Sequence, residues 1–541
     1  QAFYRVAGET EFTQFGGDLS ATSTTITGLT NGTEYELAVK AGNSKGVGPF
    51  SAIAAGTPER EDLTMPELPA DGRIDSSMVE SIVLKDPSNV DRKLCPNFVT
   101  DHLIDNDAST YWIAESWSKN SHITYTFSEP ADMNYVILVP YLGDNHKYAL
   151  NTYRIDAVDE NGVQILEETL YAAPRMTDKN YLILPFDAVK GVKSLTVQLN
   201  EREGNGFRVS ASEMAFYKSD SLPDDILALF TDETLTEIRT GVSEGDITAL
   251  EERLAEKESF FLDVDLLRQE LELAKKLLAD PSALGLVKND FQSRSGRADS
   301  TYGQSASDLQ PLGISAEAGS TVAIYAQLPE GETVSIVPTQ YYGESGIWRG
   351  SSVQLRNGRN YIDIPKIGSL TDPRGGPLYV TYSGEHPEQI KLHVLPSSDA
   401  VEIPVLELSN WYGMDETAQR AAISAYVTAL EAHVAKNGTN PETNVFNTTE
   451  ISTPSVLLSL PANKILDGLG TDNKVETMYQ NILAWEETLF VANKVQGIID
   501  STAKFDGYRY PMQTRQNIRY MRMFAGAFMY AAGNHVGIGY G

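Results

Sequence analysis

The sequence predicts a multidomain, mainly β protein with helical segments, and three observations carry that prediction. At 541 residues the chain has room for about three or four domains of ordinary size. Strand-type alternation punctuated by Gly, Pro and Asn recurs in three separate stretches, over 1–58, 74–218 and 291–396. Between and after them, Leu, Ala, Glu and Lys recur at helical spacing. The segments that follow are 1–58, a charged, Pro-containing linker at 59–73, 74–218, a helical connector at 219–290, 291–400 and 401–541.

Composition narrows the function. The chain carries 43 Lys and Arg against 74 Asp and Glu, a formal charge of −31, which argues against a nucleic-acid partner. With 41% hydrophobic and 22% charged residues it is ordinary globular material and not a disordered chain. No stretch approaches the ~18 consecutive apolar residues of a membrane span, so this segment is not expected to be integral to a membrane. The first residues show no basic region followed by an apolar one. A single cysteine, Cys95, excludes a disulfide framework and a cysteine-based zinc cage, and is expected to be a buried small hydrophobe.

Within 1–58, strands are expected at Phe3-Tyr4-Arg5-Val6, Thr24-Thr25-Ile26 and Tyr35-Glu36-Leu37-Ala38-Val39-Lys40-Ala41. The run Leu29-Thr30-Asn31-Gly32-Thr33-Glu34-Tyr35, continuing to Asn43 and followed by Gly46 and Gly48-Pro49, resembles the second half of a fibronectin type III domain. The resemblance makes Tyr35 its tyrosine corner and implies a spacer role. Such a sandwich needs about seven strands in roughly 100 residues. A partial domain, truncated at its N-terminus, is therefore expected.

Two motifs mark 74–218. Asp105-Asn106-Asp107-Ala108-Ser109-Thr110-Tyr111-Trp112 and Val209-Ser210-Ala211-Ser212-Glu213-Met214-Ala215-Phe216-Tyr217 resemble the two signatures of a coagulation factor five/eight type C, or discoidin, domain, a family rich in carbohydrate-binding modules. Asn106 stands where that family usually has Gly, and Asn also tolerates positive φ. Two acidic side chains and a hydroxyl on one tight loop, with a distant Glu, supply hard oxygens suited to Ca²⁺. The resemblance thus implies a structural calcium on Asp105, Asp107, Thr110 and Glu213; the same loop could also be an Asx-rich turn without metal. It further implies sugar binding by loops at one end of the sandwich, with Trp117, Asn145, His146, Asn205, Phe207 and Arg208 as candidates.

After Ser221 the pattern becomes helical. Ser243-Glu244-Gly245-Asp246 resembles a capping box with Asp in place of Glu, and Leu267, Leu271, Ala274 and Leu278 form an apolar stripe ended by Asp280-Pro281. Two or three packed helices are expected, acting as a structural spacer.

From 291 onward a second β-sandwich leads into helices. One starts near Asp415, carries Ile423, Val427, Leu430 and Val434, and stops at Asn437-Gly438; another carries Val475, Met478, Ile482, Trp485 and Leu489. Leu378-Tyr379-Val380-Thr381-Tyr382, the helix bearing Trp485-Glu486, and Arg522-Met523-Phe524-Ala525-Gly526-Ala527-Phe528-Met529-Tyr530-Ala531-Ala532-Gly533-Asn534-His535-Val536-Gly537 together resemble the enhancin-like zinc metallopeptidases, which include mucin-degrading glycopeptidases of gut bacteria. The resemblance implies an α-rich catalytic domain from 401 onward, zinc as cofactor and mucin O-glycoproteins as partners.

The signature of that chemistry, His-Glu-x-x-His, places two imidazoles on one helix face for Zn²⁺ and a Glu as base. It is absent: the histidines are His102, His122, His146, His386, His393, His433 and His535, and no two are four apart. In the family the motif lies downstream of the Phe-Met-Tyr-Ala stretch, so zinc ligands are expected beyond Gly541 and the chain as given is expected to be inactive. His535 and Tyr540 would line the cleft beside the zinc, or fill ordinary buried or turn positions. There is no Gly-x-Ser-x-Gly elbow and no phosphate-binding Gly-x-x-x-x-Gly-Lys loop. The expectation is a fragment of a secreted or surface-held bacterial glycopeptidase. A noncatalytic glycan-binding adhesin is the alternative, and a glycoside hydrolase with the same accessory modules a third.

Overall fold

The computed structural model describes residues 1–24, 26, 28–30, 33–58, 64–115, 121–141, 143, 150–201, 208–294, 307–495, 497, 515–532 and 535–539. The chain divides into two compact units, one of Gln1–Asp220 with Lys257–Leu262 and one of Ser221–Glu256 with Asp263–Gly541.

The first unit opens with an antiparallel sheet in the order Thr13–Phe15, Ala2–Val6, Tyr35–Asn43, Gly46–Phe50, with Ala54–Gly56 also paired to Tyr35–Asn43. Two expected strands form. The third does not: Thr24 and Ile26 lie outside any strand, and Thr25 lies outside the described residues. The Tyr35 hydroxyl accepts from the Thr30 amide at 3.0 Å, five residues upstream, the contact a tyrosine corner makes.

The next sandwich is built on two very long strands, Ser121–Val139 and Leu182–Glu201. Their register shifts between Pro185 and Ser194, opposite Tyr135 to Thr126, and such bulges bend and twist a long antiparallel pair. Leu150–Val158 and Gln164–Ala172 extend the sheet beyond Leu182–Glu201, while Glu213–Phe216 and Val79–Leu84 pair with Ser121–Val139. Alternation is regular where one face is wet: Ile123, Tyr125 and Phe127 are buried while Thr124 and Thr126 are half-buried. Over Tyr135 to Val139 both faces are buried, because Leu68, Tyr181 and Tyr217 cover the second face. Leu68 lies in the stretch expected to be linker. Its burial, and the bond from the Tyr217 hydroxyl to the Pro69 carbonyl at 3.0 Å, make 64–73 part of the sandwich. Cys95 is buried as expected, its thiol bonded to the Asp91 carbonyl.

The second unit begins with helices. Ser243 and Asp246 cap Glu244–Lys257 reciprocally: the Ser243 amide donates to the Asp246 carboxylate at 2.8 Å, and the Asp246 amide to the Ser243 hydroxyl at 3.3 Å. Val264–Ala279 ends before Asp280-Pro281, as its sequence predicts. The β-sandwich that follows packs a four-stranded sheet (Leu286–Lys288, Lys391–Val394, Thr321–Gln327, Gly358–Asp363) against a six-stranded one that includes Val334–Glu344, Gly375–Tyr382 and Gln310–Glu317. Leu312, Ile314, Ile324, Ile336, Leu378 and Val380 fill the space between.

The 401–541 region holds the expected helices, Glu416–Asn437 and Lys474–Val495, the first capped by the Asp415 carboxylate on the Ala418 amide at 2.8 Å. Beneath them lies a mixed six-stranded sheet in the order Val405–Glu407, Thr449–Ser452, Val456–Leu460, Gln516–Tyr520, Val536–Ile538, Met529–Ala531. Ile451, Val456 and Leu458 face the helices with Ile423, Leu430 and Ile482. The opposite face of the same strands carries Glu450, Ser452, Ser459, Asn517 and Arg519, all buried.

Candidate functional site

In the first unit Asp105, Asp107 and Thr110 share one loop, and Glu213, at the start of strand Glu213–Phe216, meets it. Asn106 adopts φ 56°, the left-handed conformation that lets the chain turn there. Its amide donates to Glu213 Oε2 at 2.9 Å, and Arg73 reaches Glu213 Oε1 at 3.4 Å. Thr110 Oγ1 donates to Asp105, the Asp107 amide donates to Asp105 Oδ1 at 3.0 Å, and the Ser109 amide donates to Asp107 Oδ1 at 2.8 Å. These are the Asx turns the sequence allows. Glu213 is 1% exposed; burial pushes its pKa up to about 7, with Asp105 adding to the rise and the Asn106 amide and Arg73 opposing it. Among the described residues no group of three His, Cys, Asp or Glu is arranged to hold a metal ion.

Of the sugar-binding candidates, Trp117, Asn145, His146, Asn205 and Phe207 lie outside the described residues. Arg208 is described, and its guanidinium is committed to the scaffold: Nη1 pairs with Asp91 and reaches the Ala114 carbonyl at 3.4 Å. Burial alone would raise the Asp91 carboxyl. The Arg208 bond and the Lys93 and Leu94 amides together hold it below its ordinary value. A cavity of about 180 Å³ lies in the same sandwich, lined by Leu84, Lys85, Asp86, Asn89, Trp112, Ser121 and His122. Trp112 is fully buried with its indole N–H on the Asn89 carbonyl at 3.0 Å. Nothing in the spacing of Lys85, Asp86 and His122 announces that they meet.

In the second unit, Tyr540 lies outside the described residues. His535 is 4% exposed and takes the buried position that its sequence also allows. Its ring stands edge-on to Trp348 and Tyr530. The Gly346 amide donates to the Tyr530 hydroxyl at 2.9 Å, and that hydroxyl shares a hydrogen bond of 2.5 Å with His535 Nε2. Burial, then the charge of Arg519, push the His535 pKa down to about 4, so the imidazole is neutral.

Beside it runs Met529–Ala531, the edge strand of the six-stranded sheet, hydrogen-bonded to Val536–Ile538 alone among the described residues. Phe524, Phe528 and Met529 are 60%, 76% and 53% exposed. Met521 is buried in the core, whereas Met529 is exposed. Glu486, in the Trp485-Glu486 pair, is a buried brace. It accepts from Thr453 Oγ1, Ser455 Oγ and the Tyr412 hydroxyl at 2.6–2.7 Å.

No family model matches the chain, and no curated protein does. Among solved structures it is similar to the CBM32-1, CBM32-2 and M60 catalytic domains of ZmpB from Clostridium perfringens, at 20% identity over 86% of this chain and 46% of that one, TM-score 0.38. It is also similar to a metallopeptidase from Bacteroides thetaiotaomicron, at 18% identity over 60% of this chain and 47% of that one, TM-score 0.39. A third is the M60 catalytic domain of ZmpC from Clostridium perfringens in complex with the sialyl T antigen, at 23% identity over 47% of this chain and 48% of that one, TM-score 0.34. The chain spans about half the length of each of these structures.

Proposed function

We propose that the chain is part of a bacterial zinc metallopeptidase, secreted or held at the cell surface, that hydrolyses peptide bonds in O-glycosylated proteins such as mucins. The first unit binds glycan, and the second contributes a wall on which the peptide lies. The observation that carries this reading is the edge strand Met529–Ala531 with Phe528 and Met529 exposed beside it. An extended peptide adds to such an edge through main-chain hydrogen bonds, with neighbouring apolar side chains covering its own. Among the described residues this edge pairs on one side only, and such an edge can take a further strand. The resemblance of the flanking residues to the enhancin-like enzymes supports a peptide as that occupant. His535, buried and neutral, positions Tyr530 under the strand and does not contact substrate. The described residues offer no zinc site, and no step through zinc is assigned to them.

In the first unit we propose a structural Ca²⁺ on the Asp105 loop. Asp105, Asp107, Thr110 and Glu213 supply only hard oxygens, the donor kind that Ca²⁺ takes. A cation drawn in there would offset both the burial that pushes the Glu213 carboxyl up and the charge of Asp105 beside it. Trp117, Asn145, His146, Asn205 and Phe207 are the proposed sugar-contacting residues, whereas Arg208 serves the scaffold through Asp91.

The test is to express the full-length gene product and measure zinc content and cleavage of a mucin glycoprotein, for wild type and for Phe528→Asp. Zinc-dependent cleavage, with KM raised roughly ten-fold in the variant at unchanged zinc content, supports the reading. Mucin binding without zinc or cleavage replaces it with a noncatalytic glycan-binding adhesin. Release of free sugar in place of peptide cleavage replaces it with a glycoside hydrolase.

A further inference from the structure

A cavity of about 620 Å³ opens in the second unit between the segment 236–242 and the end of helix Val264–Ala279 with the strand that follows it. Ile238, Val242, Leu277, Leu278, Leu284 and Val287 give it an apolar lining. Leu277 is buried, but Leu278 and Leu284 are 37% and 38% exposed, so part of that lining is in contact with water. Three charged side chains join it, Arg239, Lys391 and Glu237. The Lys391 ammonium donates to the Thr236 hydroxyl at 2.7 Å and has Asp232 at 3.9 Å. Arg239 is exposed, and among the described residues no carboxylate pairs with its guanidinium.

The walls are fixed before any ligand arrives. Ile238 is bridged to Phe230, and the Arg239 amide donates to the Leu229 carbonyl at 2.9 Å. On the other side, Leu286–Lys288 pairs with Lys391–Val394, which sets Val287 opposite His393. His393 is fully buried and ties the two sides together. The Gly285 amide donates to its Nε2 at 3.1 Å, so Nδ1 carries the proton and donates to the Thr234 carbonyl at 2.8 Å. A Cβ on Gly285 would fall 2.4 Å from the Val394 carbonyl oxygen, so this close approach requires glycine. A cavity held in this way costs a ligand little ordering.

We propose that the cavity binds a small amphipathic carboxylate, with an apolar body of about ten carbons against the leucine lining and its carboxylate on Arg239. The planar guanidinium fork matches a carboxylate with two parallel hydrogen bonds, and Lys391 adds a second positive charge. A formal charge of −31 repels anions from the chain at large, so capture depends on these local cations. A neutral amphiphile would gain only the apolar contact and leave Arg239 unpaired. The site holds whether or not the parent protein is a peptidase.

The test titrates the whole chain with decanoate, and separately with decanol, by isothermal calorimetry near neutral pH. The expected result is saturable binding of decanoate at one site per chain with Kd on the order of 100 μM, and decanol roughly ten-fold weaker. Arg239→Glu and Leu284→Glu, both at exposed positions, should keep the fold by circular dichroism and Tm. The first should weaken decanoate roughly ten-fold and the second should abolish its binding. No saturable binding, decanol bound as tightly as decanoate, or wild-type affinity in both variants overturns the proposal. So does self-association of the chain, seen by sedimentation, that Leu284→Glu disperses, since the cavity would then belong to a second copy. If Leu284→Glu fails to fold, Arg239→Glu and the decanol comparison decide by themselves.

Discussion

The Glu270 carboxylate and the Arg359 guanidinium close a bidentate pair inside the second unit, with Arg359 Nε on Oε1 at 2.7 Å and Nη2 on Oε2. Glu270 is fully buried on helix Val264–Ala279, and Arg359 stands on strand Gly358–Asp363, so the pair joins the helix to the four-stranded sheet. The Tyr325 and Tyr361 hydroxyls also donate to Glu270 Oε1. Removing one partner leaves the other charge buried and alone. Glu270→Ala and Arg359→Met are each expected to cost about 3–5 kcal/mol, and the double variant much less than their sum. Urea unfolding of the three variants measures this. Additive losses would show that the two groups do not couple.

Glu450 makes stability depend on pH near neutrality. Burial raises its pKa from 4.5 to about 7, against the opposing pull of the Tyr379 hydroxyl and the Arg519 charge. The folded state therefore binds a proton more tightly than the unfolded state does. The contribution is fully present below about 4.5 and is lost as pH rises from there through about 7. The loss is on the order of 3 kcal/mol for a shift of this size. Glu450→Gln, which keeps the shape and cannot ionise, is expected to flatten that part of the pH profile. Chemical denaturation of both proteins across pH 4 to 8 checks it, and an unchanged slope in the variant would assign the dependence to other groups.

How far the sequence reached follows from burial. Ile123 to Phe127 sits in a sheet with one apolar inward face, so period-two alternation gave its strand away, whereas Val322 to Ala326, buried on both faces, reads as a short continuous apolar run. Caps such as Asp415 and Ser243 lie in sequence next to what they bind. The sheet beneath the last helices was not legible. Its strands are three to five residues long, and Glu450, Ser452, Asn517 and Arg519 read as a solvated face. They are in fact buried, because the β-sandwich covers them: Arg519 meets Tyr379, 140 residues away. A local window holds no trace of such a partner. The Asp105 loop was legible because its turns are closed by neighbours, and Glu213 entered only through the second motif.

Calcium removal gives a direct reading of the Asp105 loop. With the ion bound, Asp105 and Glu213 gain a counter-charge that Arg73, at 3.4 Å and partly exposed, supplies only in part. EDTA is expected to lower the Tm of the first unit by several degrees, on the order of 5 °C, and added Ca²⁺ to restore it. Asp105→Asn should abolish most of that response while leaving the turn formed, since Asn keeps the side-chain oxygen that accepts from the Asp107 amide. Calorimetry on both proteins, with and without Ca²⁺, decides. A wild-type Tm indifferent to EDTA would leave the loop as a metal-free Asx turn.

Gly537 and Tyr530 face each other across the last hairpin, and their fit sets the geometry of the edge strand. A Cβ added to Gly537 would fall 2.1 Å from Cε1 of the Tyr530 ring. The ring cannot swing aside freely, because its hydroxyl is held at both ends, by the Gly346 amide at 2.9 Å and by His535 Nε2 at 2.5 Å. Gly537→Ala is therefore expected to cost on the order of 2 kcal/mol and to loosen Met529–Ala531. Tyr530→Ala removes both the obstacle and the hydroxyl bridge, so adding Gly537→Ala to it should cost little more. Thermal unfolding of the single and double variants, with hydrogen exchange of the Met529 to Ala531 amides, measures both effects. Equal costs of Gly537→Ala in the two backgrounds would mean that the ring is free to move. The tether from Gly346 through Tyr530 to His535 would then not be what fixes the edge strand.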